Sequence, residues 1–232
     1  MLYLIGLGLS DEKDISLKGL EAIKECDMVF AENYTANWQG SFQKLENVIG
    51  KQIQTLTRKG VEGNFLIEMA KKQKVALLVP GDPLSATTHF QLFQDAKIAG
   101  TKCKIIHSSS VFTAVAVAGL QLYKFGRVTT LPKDFKVQSP IEVVRVNKKV
   151  GLHSLILLDI GMELNDALTV MEKEFPEESI IVCISLGSES EKIVYDRVKN
   201  IRTRIKNTTL PSCIIVPGEL NFKEEEALEL WK

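Results

Sequence analysis

The chain has 232 residues, 45% of them hydrophobic, with 29 basic and 29 acidic side chains and no net formal charge. That is enough apolar material for a sizeable core, in one large or two small domains. Balanced charge argues against a general nucleic-acid binder, which would carry a strong basic stripe. The longest apolar runs, 75–79 and 154–160, fall far short of a membrane span.

The first residues, Leu2-Tyr-Leu-Ile5, read directly as a strand and not as a signal peptide. A helix is predicted over 16–26, with Leu17, Leu20, Ala22 and Ile23 on its buried face, then a short strand over 28–31. Helices follow over 42–49, stopped by Gly50, and 65–72. Residues 75–79 form an unbroken β-branched and leucine run, the pattern of a buried parallel strand. A helix over 87–99 closes at Gly100, a strand spans 103–106, and small residues make a helix over 111–118, closed by Gly119. This βα repetition predicts a parallel sheet covered on both faces.

Periodicity lapses over 126–132, where Pro132 enters, so a junction is expected there, with domains of 1–126 and 127–232. The second half predicts a helix over 141–149 and a strand over 155–159. A helix over 165–175 is capped by Asn165 and ended by Pro176. Strands of a mixed sheet over 180–186, 192–195 and 213–216 precede a terminal helix over 222–231 with acidic residues early in it. The chain is therefore expected to be an α/β protein of two α/β domains. It shows no internal repeat and no low-complexity segment.

The central strand ends in Pro80-Gly-Asp-Pro83, and the carboxyl ends of strands are where open α/β sheets bind ligands. Gly81 permits close backbone approach, and two prolines stiffen the turn around Asp82. The first strand ends in Gly6-Leu-Gly-Leu9, but a dinucleotide fingerprint needs a third glycine where Asp11 stands. No P-loop pattern and no GxSxG elbow occur. Ser108-Ser-Ser110 leads into the 111–118 helix, with Ser110 as its N-cap; free N–H groups at a helix start also suit a carboxylate.

Cys26, Cys103, Cys183 and Cys213 are dispersed without a CxxC, and the last three sit in or beside apolar runs, as reduced core cysteines of a cytoplasmic protein do. His89, His107 and His153 lack zinc-site spacing, so no metal is expected. His89 is expected to satisfy a loop carbonyl, and neither His89, His107 nor Asp159 is assigned a catalytic role.

The segments LYLIGLGL, DISLKGLEAIKECDMVFAE, PGDPLSATTH, IHSSSVFTAVAVAGLQLYKFG, GLHSLILLDI and IIVPGEL, in collinear order from Met1 to about Leu220, resemble the diphthine synthase family. GDP alone marks only the superfamily; ATTH and GLQLYKFG point to this branch. The resemblance implies the tetrapyrrole-methylase-like fold of the class III methyltransferases, with S-adenosylmethionine in the cleft between two domains and S-adenosylhomocysteine as product. It carries cofactor contact to Leu9, Asp82, Ser85, Ser110 and Val111, and to Leu158, Leu186 and Ser212 in the second domain, without a catalytic residue. It further implies translation elongation factor 2 as protein substrate, methylated on the amine of its 3-amino-3-carboxypropyl-histidine, and a cytoplasmic homodimer that engages neither nucleic acid nor membrane. Phe112 and Val115 are expected at the subunit interface. The sequence departs from the family at Ser212, where related proteins have histidine, around Ser185-Leu-Gly-Ser188, and over a shortened stretch, 133–150. A tetrapyrrole-type methyltransferase and an inactive cofactor-binding module are the competing readings.

Overall fold

The structure, a computed structural model, describes residues 1–134, 138–205 and 209–232. The chain divides into two compact units, Met1–Phe112 and Thr113–Lys232.

The first unit runs β1 (Leu2–Gly6), α1 (Leu17–Lys24), β2 (Met28–Glu32), α2 (Phe42–Ile49), β3 (Ile53–Leu56), α3 (Arg58–Glu62), α4 (Phe65–Lys72), β4 (Val75–Val79), α5 (His89–Ile98) and β5 (Cys103–Ile106). Its sheet has the order β3-β2-β4-β1-β5, and every pairing is parallel. Alternation along the strands feeds two cores. Tyr3, Ile5, Ala76 and Leu78 pack with Ile23 of α1 and Leu45 of α2. Leu2, Leu4, Val75, Leu77 and Val79 pack with Val61, Leu66 and Leu92 of α3, α4 and α5. Burial on both faces is why β4 reads as an unbroken apolar run.

Helix starts and stops follow local chemistry. Ser16 accepts from the Gly19 N–H at the start of α1, and Gly50 ends α2 at φ 69°. α5 begins at His89, because the preceding turn includes Ala86 at φ 57°, in the left-handed region. The predicted 111–118 helix is a four-residue α6 (Val111–Ala114) followed by a 3₁₀ turn, Val115–Ala118.

The second unit holds β6 (Thr129–Leu131), α7 (Ser139–Lys149), β7 (Ser154–Leu158), α8 (Leu164–Glu174), β8 (Ser179–Ile184), β9 (Lys192–Arg197), α9 (Val198–Arg204), β10 (Ser212–Val216) and α10 (Phe222–Leu228). Its sheet, β6-β7-β10-β8-β9, is mixed: β6 pairs parallel to β7, and the other pairings are antiparallel. Val144, Leu168, Met171, Ile201 and Ile214 belong to its core. Asn165 is not the cap of α8; Glu163 holds that position without a side-chain bond, and Asn165 lies in the first turn.

Residues 118–126 are tied to this unit by hydrogen bonds. Trp231 Nε1 donates to the Ala118 carbonyl at 3.1 Å, and Gln121 N–H donates to Glu224 at 3.0 Å. Gly126 N–H donates to the His153 carbonyl at 2.9 Å. Gly119 has φ 91°, and a Cβ on it would lie 2.3 Å from the Ala227 side chain. The GLQLYKFG stretch thus has a packing role. The expected junction at Gly126 lies inside this unit, beyond the division at Phe112. Val115, expected at a subunit interface, is 1% exposed within its own chain and is a core residue.

Among the described residues, no helix is long and apolar enough to cross a membrane.

Candidate functional site

Three loops leave the carboxyl edge of the first sheet, after β1, β4 and β5. Since β1 lies between β4 and β5, its last residue, Gly6, is where the flanking loops meet. A Cβ on Gly6 would fall 2.5 Å from the Gly81 carbonyl oxygen and 2.7 Å from the Ser108 Cβ, so only glycine leaves room for the junction. Above it Gly8 and Gly81 exchange two backbone hydrogen bonds, at 2.8 and 3.2 Å. Asp14 fixes the far side of the first loop, accepting from the Leu9 N–H at 3.0 Å and the Ser10 N–H at 2.6 Å.

Asp82 fastens the second loop to the third. Its Oδ1 accepts from the Leu84 N–H at 2.9 Å and the Ser85 hydroxyl at 3.3 Å. Its Oδ2 accepts from the Ser108 N–H at 3.2 Å and lies 2.7 Å from His107 Nδ1. Burial by itself would raise the Asp82 pKa. The donors from Leu84, His107 and Ser108 outweigh it and hold the carboxyl below its ordinary value, so it is ionised. Gly81, at φ 70°, has nothing within 4 Å of where a Cβ would sit, so the junction leaves open space beside the turn. Ser85 and Leu9 are half-buried beside it. Ser110 is buried, and its hydroxyl accepts from the Phe112 N–H at 3.3 Å; half-buried Val111 opens α6. Four residues make too short a helix to supply a strong N-terminal dipole, so any ligand contact there rests on individual groups.

The structure therefore gathers Leu9, Asp82, Ser85, Ser110 and Val111 on three loops of one sheet edge. It also brings in His107, to which the sequence reading gave no role.

His89 is buried, and the loop carbonyl it faces is that of Pro83, too poorly aligned for a full hydrogen bond. Neither ring nitrogen has a partner of good geometry, and Nε2 is 4.0 Å from Glu32 Oε1. Burial drives its pKa down to about 4, with a weaker opposing pull from the Pro83 carbonyl. Burial likewise raises the pKa of Glu32, although Thr35 and the Tyr34 N–H donate to it.

In the second unit Leu158, Leu186 and Ser212 come together at one end of three adjacent strands. Ser212 pairs with Ile184, and the Cys213–Leu157 pairing sets Leu158 one rung further, across from Ser212. Ser185 follows at φ 50°, anchored by its N–H to the Pro211 carbonyl at 2.8 Å, and leads to buried Leu186. The Ser212 hydroxyl donates to the Leu210 carbonyl at 2.9 Å. Among the described residues, no group of three His, Cys, Asp or Glu side chains is placed to hold a metal ion.

The chain matches the tetrapyrrole (corrin/porphyrin) methylase family over residues 1–202. It is 39% identical to diphthine synthase of Methanocaldococcus jannaschii, covering 99% of this chain and 98% of the relative. It is 41% identical to diphthine synthase of Methanothermobacter thermautotrophicus, covering 98% and 94%. The chain belongs to the diphthine synthase family. A crystal structure of a diphthine synthase superposes with a TM-score of 0.92 at 35% identity, covering 99% of this chain and 95% of the other. Diphthine synthases are S-adenosylmethionine-dependent methyltransferases of the tetrapyrrole methylase fold, and the two-sheet α/β architecture described above is that fold.

Proposed function

We propose that the chain binds S-adenosylmethionine at its strand-end loops. With it, the chain methylates the amino group of the 3-amino-3-carboxypropyl extension on the modified histidine of translation elongation factor 2, a step of diphthamide biosynthesis. The observation that supports this most is the three-loop junction over Gly6, in a chain of the diphthine synthase family.

The residues fit the cofactor. Gly81 leaves space where a side chain would stand, and Asp82 holds Ser85, His107 and Ser108 in fixed positions around it. Leu9, Asp82, Ser85, Ser110 and Val111 are the first unit's proposed contacts; Leu158, Leu186 and Ser212 are the second unit's. When bound, S-adenosylmethionine supplies an electrophilic methyl on a sulfonium whose charge already activates the leaving group. The chain's own contribution is to orient the partners and exclude water, because prior positioning removes entropy from the barrier. No catalytic carboxylate pair or metal is required for that.

The same reading takes the protein to be a cytoplasmic homodimer acting on a protein substrate, without nucleic acid or membrane. Light scattering that gave the 25.9 kDa monomer mass would exclude the dimer. The decisive test of function is mass spectrometry of elongation factor 2 bearing the 3-amino-3-carboxypropyl-histidine, incubated with the chain and S-adenosylmethionine. Added methyl groups on that residue are expected. An unmodified factor, with S-adenosylhomocysteine failing to bind in calorimetry, would overturn the proposal.

A further inference from the structure

We propose that His107 is the proton acceptor for the substrate amine, with Asp82 as the residue that positions it. This inference rests on the methyl-transfer reading and adds to it a named group and a proton path.

His107 follows β5 directly, and its Nδ1 lies 2.7 Å from Asp82 Oδ2. Because the Asp82 carboxyl is ionised, it can only accept, so the hydrogen of the neutral imidazole sits on Nδ1 and the lone pair on Nε2. The His107 side chain is 68% exposed, and Nε2 has no partner among the described residues. The basic nitrogen is therefore free to meet an incoming group, on a ring held by the same Asp82 that binds the Ser85 hydroxyl and the Ser108 N–H. Asp82 is the charged group in contact with the ring. Asp14, the neighbouring loop carboxylate, is turned to the Leu9 and Ser10 amides. A carboxylate fixed to Nδ1 both orients the imidazole and stabilises the imidazolium formed when Nε2 takes a proton.

The other two histidines cannot serve. His89 is sealed in the core beside Glu32, and His153 is fully buried with both nitrogens engaged, one by Glu224 and one by the Gly218 N–H.

An amine near neutral pH is largely its ammonium and has no lone pair to offer. In the proposed step the ammonium gives one proton to His107 Nε2. The freed nitrogen lone pair forms a bond to the methyl carbon while the carbon–sulfur bond breaks, and sulfur keeps that electron pair as a neutral thioether. The imidazolium then returns its proton to water. Each methyl gained corresponds to one proton lost, and a fully methylated quaternary nitrogen has none left to give, which ends the sequence.

The test compares wild type, His107→Gln and His107→Ala in single-turnover methylation across pH, with S-adenosylhomocysteine affinity by calorimetry and melting temperature as controls. The wild-type rate should carry a pH dependence that His107→Gln does not share. His107→Gln should lose about a hundredfold near neutrality, shrinking at alkaline pH where the ammonium loses its proton unaided, with affinity for the product nucleoside unchanged within about twofold. Added imidazole should restore part of the His107→Ala rate. Independently of activity, ring ¹⁵N NMR should report the Nδ1–H tautomer in wild type and its loss in Asp82→Asn. A pH profile that keeps its shape in His107→Gln, a rate loss matched by lost affinity, or the opposite tautomer in wild type would overturn the inference. Full activity of His107→Gln would sink this step alone; a wild type that never methylates the factor would sink the methyl-transfer reading with it.

Discussion

Replacing Asp82 by alanine should weaken cofactor binding more than it weakens folding. The substitution removes all four acceptor contacts at once: Leu84 N–H, Ser85 hydroxyl, Ser108 N–H and His107 Nδ1. A hydrogen bond to a charged acceptor contributes about 1.5–3 kcal/mol. Four such bonds do not add, because Leu84, Ser85 and Ser108 are only half-buried and water can replace part of what they lose. The expected net loss is therefore that of about one strong contact, about 1.5–3 kcal/mol, which is roughly a ten- to hundredfold fall in affinity if it acts on the binding-competent loops. The same energy spread over a chain of this size would lower the melting temperature by only about 2–4 °C per kcal/mol. Calorimetric titration with S-adenosylhomocysteine, alongside thermal melting, separates the two effects. If the melting temperature collapses while the remaining folded protein binds normally, Asp82 is a turn residue and the reasoning fails.

Gly6→Ala forces a Cβ to within 2.5 Å of the Gly81 carbonyl oxygen, so it should cost about 1–3 kcal/mol of stability and lower product affinity together. Gly81→Ala meets no neighbour and should cost only the left-handed penalty of about 1–2 kcal/mol in melting, while binding falls because the new methyl occupies the open space; unchanged affinity would contradict a ligand there. Glu224 accepts from Lys124, Gln121, Asn221 and His153, which outweigh its burial and pull its carboxyl from 4.5 to about 2. That difference corresponds to about 3 kcal/mol of stability, present above the unfolded carboxyl pKa and lost as pH falls through the folded one. Denaturant unfolding should accordingly show Glu224→Gln less stable than wild type at about pH 6, with the gap closing towards about pH 3; a gap independent of pH would show that shape and not charge is at stake. Finally, a chelator should leave S-adenosylhomocysteine affinity unchanged, and its loss would reveal a metal in the site.

Much of the fold is written locally. The β4 run, the α2 helix with its Gly50 stop and the α4 helix over Phe65–Lys72 lie where apolar periodicity and turn chemistry put them, because those signals act within a few residues. The segments that escaped sequence reading, β3, α3, β6 and α9, are short, and β3 and β6 sit at sheet edges, where half-polar residues carry no clear period and pairing decides the conformation. The family motifs marked the strand-end loops, and the chain alone made Asp82 and Ser110 visible as turn and cap residues. Only the tertiary structure could join Asp82 to His107, 25 residues further on. That pair depends on β1 lying between β4 and β5 and on Gly6 leaving room for their loops to meet above it. Likewise Glu224, which reads as an ordinary acidic residue in the first turn of α10, becomes a buried anchor for His153 and Lys124, 71 and 100 residues away. Local sequence determines which segments become strands and helices, since those energies are short-ranged; which side chains meet is decided by strand order and close packing, which no stretch of sequence contains by itself.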